Sequence, residues 1–250
     1  MLPRLFLDVR VEEGALVWVS GEDGHHFSRV LRARPGEALV VCAANGPFRA
    51  EVAAVRPGEI CVHLRERAPS SEPRRRLILV QGLAKGDKMD AILQKCTEIG
   101  AWGFVVFEAE RSVVKLSGAA KVEQKLARWR KVVREAAMQA QRDVVPFVAW
   151  AQSFSASLAA LGAHEVDHVL VLDEEERDRG IRSAIRGGPE NARIAVVVGP
   201  EGGLARGERQ MAKEDARCLT VTLGPRILRT ETAGAVAIAI ALAESGDMGG

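Results

Sequence analysis

From residue 77 onward the chain alternates apolar runs with helical patterns, and that alternation restricts its fold more than any other feature. "RLILVQGL" is followed by "KMDAILQKCTEIG", and "GFVVFEAE" by a long helical stretch through "KVEQKLARWRKVVREAAMQAQ". Then come "HVLVLDE", "RIAVVVGPEGG", a helix from "RGERQMAKEDA", and "CLTVTLGP". Strand and helix in repetition predict an α/β domain with a mostly parallel sheet. In such sheets ligand sites collect at loops leaving the carboxyl ends of the strands.

The first seventy residues follow a different pattern. Short strand-like runs ("RLFLDVR", "ALVWV", "EALVVCAA", "FRAEVAAV", "EICVHLRER") are punctuated by Arg34-Pro35-Gly36, Asn45-Gly46 and Arg56-Pro57-Gly58, which predicts a small β-barrel. One helix interrupts it, because "GEDGHHFSRVLRA" puts Phe27, Val30 and Leu31 on one face and His25, Arg29 and Arg32 on another. "APSSEPRRR" has the Pro, Ser and charge of a linker. The expected division is a barrel at 1–70, a linker at 71–76 and an α/β domain at 77–250.

A 250-residue chain with 47% hydrophobic and 27% charged residues is that of a folded protein. "MLPRLFLDVRVEEG" lacks the apolar core of a signal peptide, and no apolar run reaches membrane-spanning length. A cytoplasmic protein with no membrane partner is expected. Cys42, Cys61, Cys96 and Cys218 are scattered, without metal-ligand spacing, so neither a metal nor a disulfide frame is expected. Net charge is only +2, but residues 111–134 hold eight basic side chains against one acid, a density that attracts phosphate. All twelve basic residues of 1–76 are arginine, whose planar fork suits phosphate and base edges. These features admit a nucleic-acid partner without requiring one.

"GLAKGDK" at 82–88 is no phosphate loop, since its glycines are too close and Asp87 replaces the lysine. No G-x-G-x-x-G follows any predicted strand, which removes the dinucleotide-binding fingerprint. Two loops stand out instead. In "VVVGPEGGL", Gly199, Gly202 and Gly203 bare the main chain to a ligand, Pro200 stiffens the turn, and Glu201 is an acid that a turn does not need. In "LGPRILRTETAGAVAIAIALAE", Thr230 is placed to cap a helix and Glu231 to sit in its first turn. That helix has no polar face and is expected to be buried all round, against its own sheet and a partner subunit. Arg226 and Arg229 at its mouth call for an anion nearby.

"GPEGGL" followed some twenty residues later by "LGPRILRTETA" resembles the signature of the RsmE family, SPOUT-class methyltransferases that modify N3 of a uridine in small-subunit (16S) ribosomal RNA. "PRLF" and "HHFSRVLR" resemble the family's PUA-like RNA-binding barrel. "KGDKMDAILQKCTEIGAWGFVVFEAERSV" resembles the start of its catalytic domain. After the long helix the family reads E-Q-small-x-R; Gln139 and Arg142 match, but Met138 stands in place of the glutamate.

The resemblance implies a SPOUT domain with a C-terminal trefoil knot, S-adenosylmethionine bound in it, and a homodimer. It assigns cofactor contacts to Leu172, Gly199, Pro200, Gly202, Leu223, Gly224, Ile227, Leu228 and Arg229. Uracil N3 must lose its imide proton to become a nucleophile, so a cation should stabilise the developing anion. Arg229 is the candidate, with Glu201 or Glu231 for polar work near the base; each glutamate equally suits a turn or helix-terminus role. The general base is not assigned. RNA contacts are expected from Arg4, His26, Arg29, Arg32, Arg111 and Arg142. The alternatives are a ribose 2′-O-methyltransferase of the same class and a non-catalytic ribosome-assembly factor.

Overall fold

The computed structural model describes residues 2–187 and 192–249. They fall into two units: Met1–Glu72 with Gln141–Val145, and Pro73–Ala140 with Pro146–Gly250. The short excursion at 141–145 interrupts what the sequence presents as one continuous α/β domain.

The first unit carries β1 (Arg4–Leu7), β2 (Leu16–Val19), α1 (Gly21–His25), β3 (Ala38–Ala43), β4 (Gly46–Arg56) and β5 (Glu59–Arg67). The strands form one curled mixed sheet in the order β1-β3-β4-β5-β2, with β1 parallel to β3 and the other pairs antiparallel. Alternate residues of β5 (Ile60, Val62, Leu64) point inward to meet Leu5, Leu39, Val41 and Phe48. Two register shifts along β4 bend it over this core.

The helix read over 21–33 requires correction. After α1 the chain makes a π-helical turn, His26–Val30, closed by Leu31 N–H donating to His26 O at 2.9 Å. The wider turn breaks the 3.6-residue period. Phe27 enters the core, while Val30 and Leu31 are 62% and 44% exposed.

Residues 141–145 tie into this unit through buried charge. Asp143 accepts from the Arg4 guanidinium, from Ser70 Oγ at 2.9 Å and from Ser71 N–H at 2.6 Å. Arg142 pairs with Glu72, which also accepts from Asp143 N–H at 2.8 Å. Removing one member of a buried pair leaves an uncompensated charge. Asp143→Ala is expected to lower unfolding stability by about 3 kcal/mol, read from the midpoint of denaturant unfolding; a change within 0.5 kcal/mol would show that the pair is solvated.

The second unit contains six strands, β6 (Leu77–Gly82), β7 (Gly103–Phe107), β8 (Phe147–Ala151), β9 (His168–Leu172), β10 (Ile194–Val198) and β11 (Cys218–Val221). All are parallel, in the order β11-β9-β10-β6-β7-β8. The helices are α2 (Lys88–Ile99), α3 (Ala119–Gln139), α4 (Phe154–Ala160), α5 (Ile181–Arg186), α6 (Arg206–Glu214) and α7 (Thr230–Glu244). β6 and β10 are central and buried along their whole length. Their continuous apolar runs are what strands covered on both faces require.

One expectation about α7 is corrected. Thr230 does not cap it: Arg229 is the N-cap residue and uses only its backbone, while Thr230 is the first helical residue. The Thr230 hydroxyl donates to Gly199 O at 2.7 Å and accepts from Gln81 Nε2 at 2.9 Å, which joins the ends of β6 and β10 to the start of α7. Within this chain α7 is covered along one face. Ala233, Ala237, Ile238, Ala241 and Leu242 are buried, whereas Ala235, Val236, Ala239 and Ile240 are half-buried and Ala243 is exposed.

Candidate active site

Loops leaving the carboxyl ends of β9, β10 and β11 enclose a cavity of about 430 Å³, within the range of small-molecule sites. Of the residues expected to hold a cofactor, Leu172, Gly199, Pro200, Leu223, Gly224, Ile227, Leu228 and Arg229 line it. Ile227 does so from the rim, being 82% exposed. Gly202 does not line it; its carbonyl accepts from Arg111 Nη1 at 3.2 Å, outside the cavity.

The glycines have separate reasons. A Cβ on Gly199 would stand 3.0 Å from Gly203 C and Leu204 N, so the 199–204 turn folds back on its own backbone. Gly224 has φ +110°, a conformation that favours glycine, and its N–H donates to Thr222 Oγ1 at 3.2 Å. Val198, Leu204, Val221 and Ala233 add apolar wall, and Asp173, Glu174, Arg177 and Arg209 add charge. Arg209 Nη1 donates to Glu175 at 2.6 Å and lies 3.8 Å from Asp173. Apolar surface for a purine, bare peptide groups for hydroxyls and ring nitrogens, and carboxylates for a cationic group suit S-adenosylmethionine.

Glu201 lines the cavity, whereas Glu231 lies outside its wall; the structure brings the two together through a residue missed in the sequence. Lys88 Nζ is 3.3 Å from Glu201 Oε1 and 3.1 Å from Glu231 Oε2. Burial by itself would raise the Glu201 carboxyl, but backbone N–H groups, that of Lys85 included, and Lys88 outweigh it and hold it below the usual range. Its own backbone N–H, then Lys88 and Arg229, hold Glu231 low as well. The bond to Glu231 leads the causes that raise Lys88. Arg226 and Arg229 are exposed and make no ion pair among the described residues.

A second missed residue braces these loops. Glu208 of α6 is buried, and its carboxylate accepts from Glu110 N–H at 2.9 Å and Ala205 N–H at 2.8 Å. The loop after β7 is thereby fixed to the one after β10. Nothing local in "RGERQM" marks this role, since one of the two partners lies far away in sequence.

The expected RNA contacts divide. Arg29 and Arg32 are exposed, and His26 is half-buried with its ring edge-on to Phe27. Arg4 and Arg142 are turned inward onto the carboxylates of Asp143 and Glu72. Arg111 is exposed and bonded to Gly202 O. The basic run 111–134 is less cationic than it reads, because Lys115, Arg128, Arg130 and Lys131 face Glu108, Asp90, Glu123 and Glu135. Among the described residues no cluster of His, Cys, Asp and Glu is placed to hold a metal ion.

Residues 70–242 match the family model for an RNA methyltransferase domain. The chain is 35% identical over 242 residues to the ribosomal RNA small subunit methyltransferase E of Bacillus subtilis (strain 168), with 93% of each chain covered. It is 35% identical over 241 residues to the protein of that name from Mycobacterium tuberculosis (strain CDC 1551 / Oshkosh), covering 93% of this chain and 88% of that one. It is also similar to the crystal structure of a ribosomal RNA small subunit methyltransferase E from Neisseria gonorrhoeae bound to S-adenosyl methionine, with a TM-score of 0.79, 29% identity and 96% of each chain covered. The chain therefore belongs to the RNA methyltransferase family, together with the ribosomal RNA small subunit methyltransferase E proteins.

Proposed function

We propose that the protein methylates N3 of a uridine in small-subunit (16S) ribosomal RNA, with S-adenosylmethionine as the donor. Dependence on S-adenosylmethionine and the small-subunit rRNA substrate follow from the family and its cofactor-bound relative. The choice of uracil N3 is supported by the wording of "LGPRILRTETA" and by one observation above all: Arg229 stands at the cavity with its guanidinium unpaired among the described residues.

When bound, the cofactor supplies a methyl group on a sulfonium. The residues of this chain align and shield the reacting groups, since displacement needs an in-line approach and little else. The turns at Gly199 and Gly224 hold the donor close to the main chain, and the apolar wall excludes water. Arg229 places positive charge where the uracil carbonyl oxygens become anionic as N3 loses its proton. Glu201 and Glu231 are held below the usual carboxylate range, whereas a general base works best with a pKa near the operating pH. Paired with Lys88, they are read in an electrostatic role.

The first unit is read as a PUA-like barrel presenting Arg29, Arg32 and His26 to RNA, and the second as a SPOUT domain whose α7 segment completes a trefoil knot. The half-covered face Ala235, Val236, Ala239, Ile240 and Ala243 is where a second copy would pack in a homodimer. No described helix is long and apolar enough to cross a membrane, and a cytoplasmic location suits a ribosomal substrate. Methyl-labelled S-adenosylmethionine incubated with the protein and unmodified small subunits is expected to label the 16S RNA; RNA that stays unlabelled would remove the proposal.

A further inference from the structure

We infer that Lys88 is a positioning residue for the methyl transfer proposed above: its ammonium joins the GPEGG turn to the first turn of α7 and balances the charge of Glu201 and Glu231 beside Arg229. The inference rests on that proposed reaction.

Lys88 is the first residue of α2. Its Nζ bridges Glu201, which follows β10, and Glu231, which opens α7, at 3.3 and 3.1 Å. Glu201 is anchored independently, since Oε1 also accepts from Lys85 N–H at 3.2 Å. The three side chains keep 26%, 19% and 29% exposure. Ion pairs that face solvent to this degree contribute little to stability, so holding the fold together is a weak reason for gathering them here. Position is a better one, because the three meet where the start of α2, the turn after β10 and the start of α7 come together, and Glu201 lines the cavity.

The charge count gives the consequence for the reaction. Lys88 meets both carboxylates and Arg229 acts through space on Glu231, so these four side chains carry no net charge among themselves. Without Lys88 the site keeps an excess negative charge where the uracil ring becomes an anion. The carboxylates also lose the group that, among the described residues, pairs with both, leaving Glu231 to draw Arg229 away from the base. The effect should fall on the chemical step rather than on cofactor binding, because Lys88 and Glu231 do not line the cavity.

The test compares Lys88→Met and Lys88→Arg in the full chain, with cofactor affinity by calorimetry, Tm, and kcat and KM on unmodified small subunits. Lys88→Met is expected to lower kcat about tenfold or more, with Tm and S-adenosylmethionine affinity close to wild type, and Lys88→Arg to recover most of the loss. Combined with Glu231→Gln, the loss should be smaller than the product of the two single losses, as expected for groups acting through one network. Lys88→Gln carries the same comparison should the methionine variant fold poorly. An active wild type whose kcat survives Lys88→Met, or whose losses multiply independently, overturns the inference alone. A wild type without methyl transfer removes the proposed function and this inference with it.

Discussion

Gly199→Arg is expected to abolish S-adenosylmethionine binding, weakening it by at least about a hundredfold, or ~3 kcal/mol. Two features of the turn combine to give so large an effect. A Cβ at this position lies 3.0 Å from Gly203 C and Leu204 N, which are backbone atoms that cannot rotate aside. The rest of the arginine side chain would then compete for a cavity of only about 430 Å³. Gly199→Ala separates the two causes, because it keeps the backbone crowding and leaves the cavity open; its loss should be smaller. Calorimetric titration of the purified variants gives the answer directly. An arginine variant that binds within tenfold of wild type would place the cofactor elsewhere.

The second large effect is expected at Arg229. Arg229→Ala should reduce kcat by about 10²-fold, as removal of a preorganised group that stabilises an oxyanion does, with a much smaller change in stability. The helix start survives the substitution because the Arg229 carbonyl, which accepts from Thr232 N–H and Ala233 N–H at 2.9 Å each, is retained. No ion pair among the described residues is lost with the side chain. Arg229→Lys keeps the charge but not the planar fork, and should recover part of the rate. Equal losses in kcat/KM and cofactor affinity would instead make Arg229 a cofactor contact only.

Much of the second unit was legible because its central strands are uninterrupted apolar runs bounded by turn residues, and the loops after β10 and β11 carry glycines where the backbone needs them. β8, α4 and α5 were not. β8 is an edge strand with half-buried Phe147, Ala149 and Trp150, and α4 is a short stretch of Ser and Ala, so neither shows a strong period. The π-helical turn at 26–30 misled for the opposite reason, since its residues have a plausible α-helical period that the hydrogen bonds do not follow. Thr230 satisfied every local rule for a cap, yet its hydroxyl bonds to the ends of two strands distant in sequence. Lys88 lay in a motif rejected as a phosphate loop, and its bridging role depends on two partners that no local pattern connects to it. Local rules marked the glycines and arginines of the site; what they could not mark was which charges meet.

The central claim is the position of methylation. Small subunits lacking the modification, incubated with the protein and S-adenosylmethionine, should yield 16S RNA whose nucleoside digest contains 3-methyluridine by mass spectrometry, with the added mass on the base. Methyl carried on ribose, or on any base other than uracil, would contradict it.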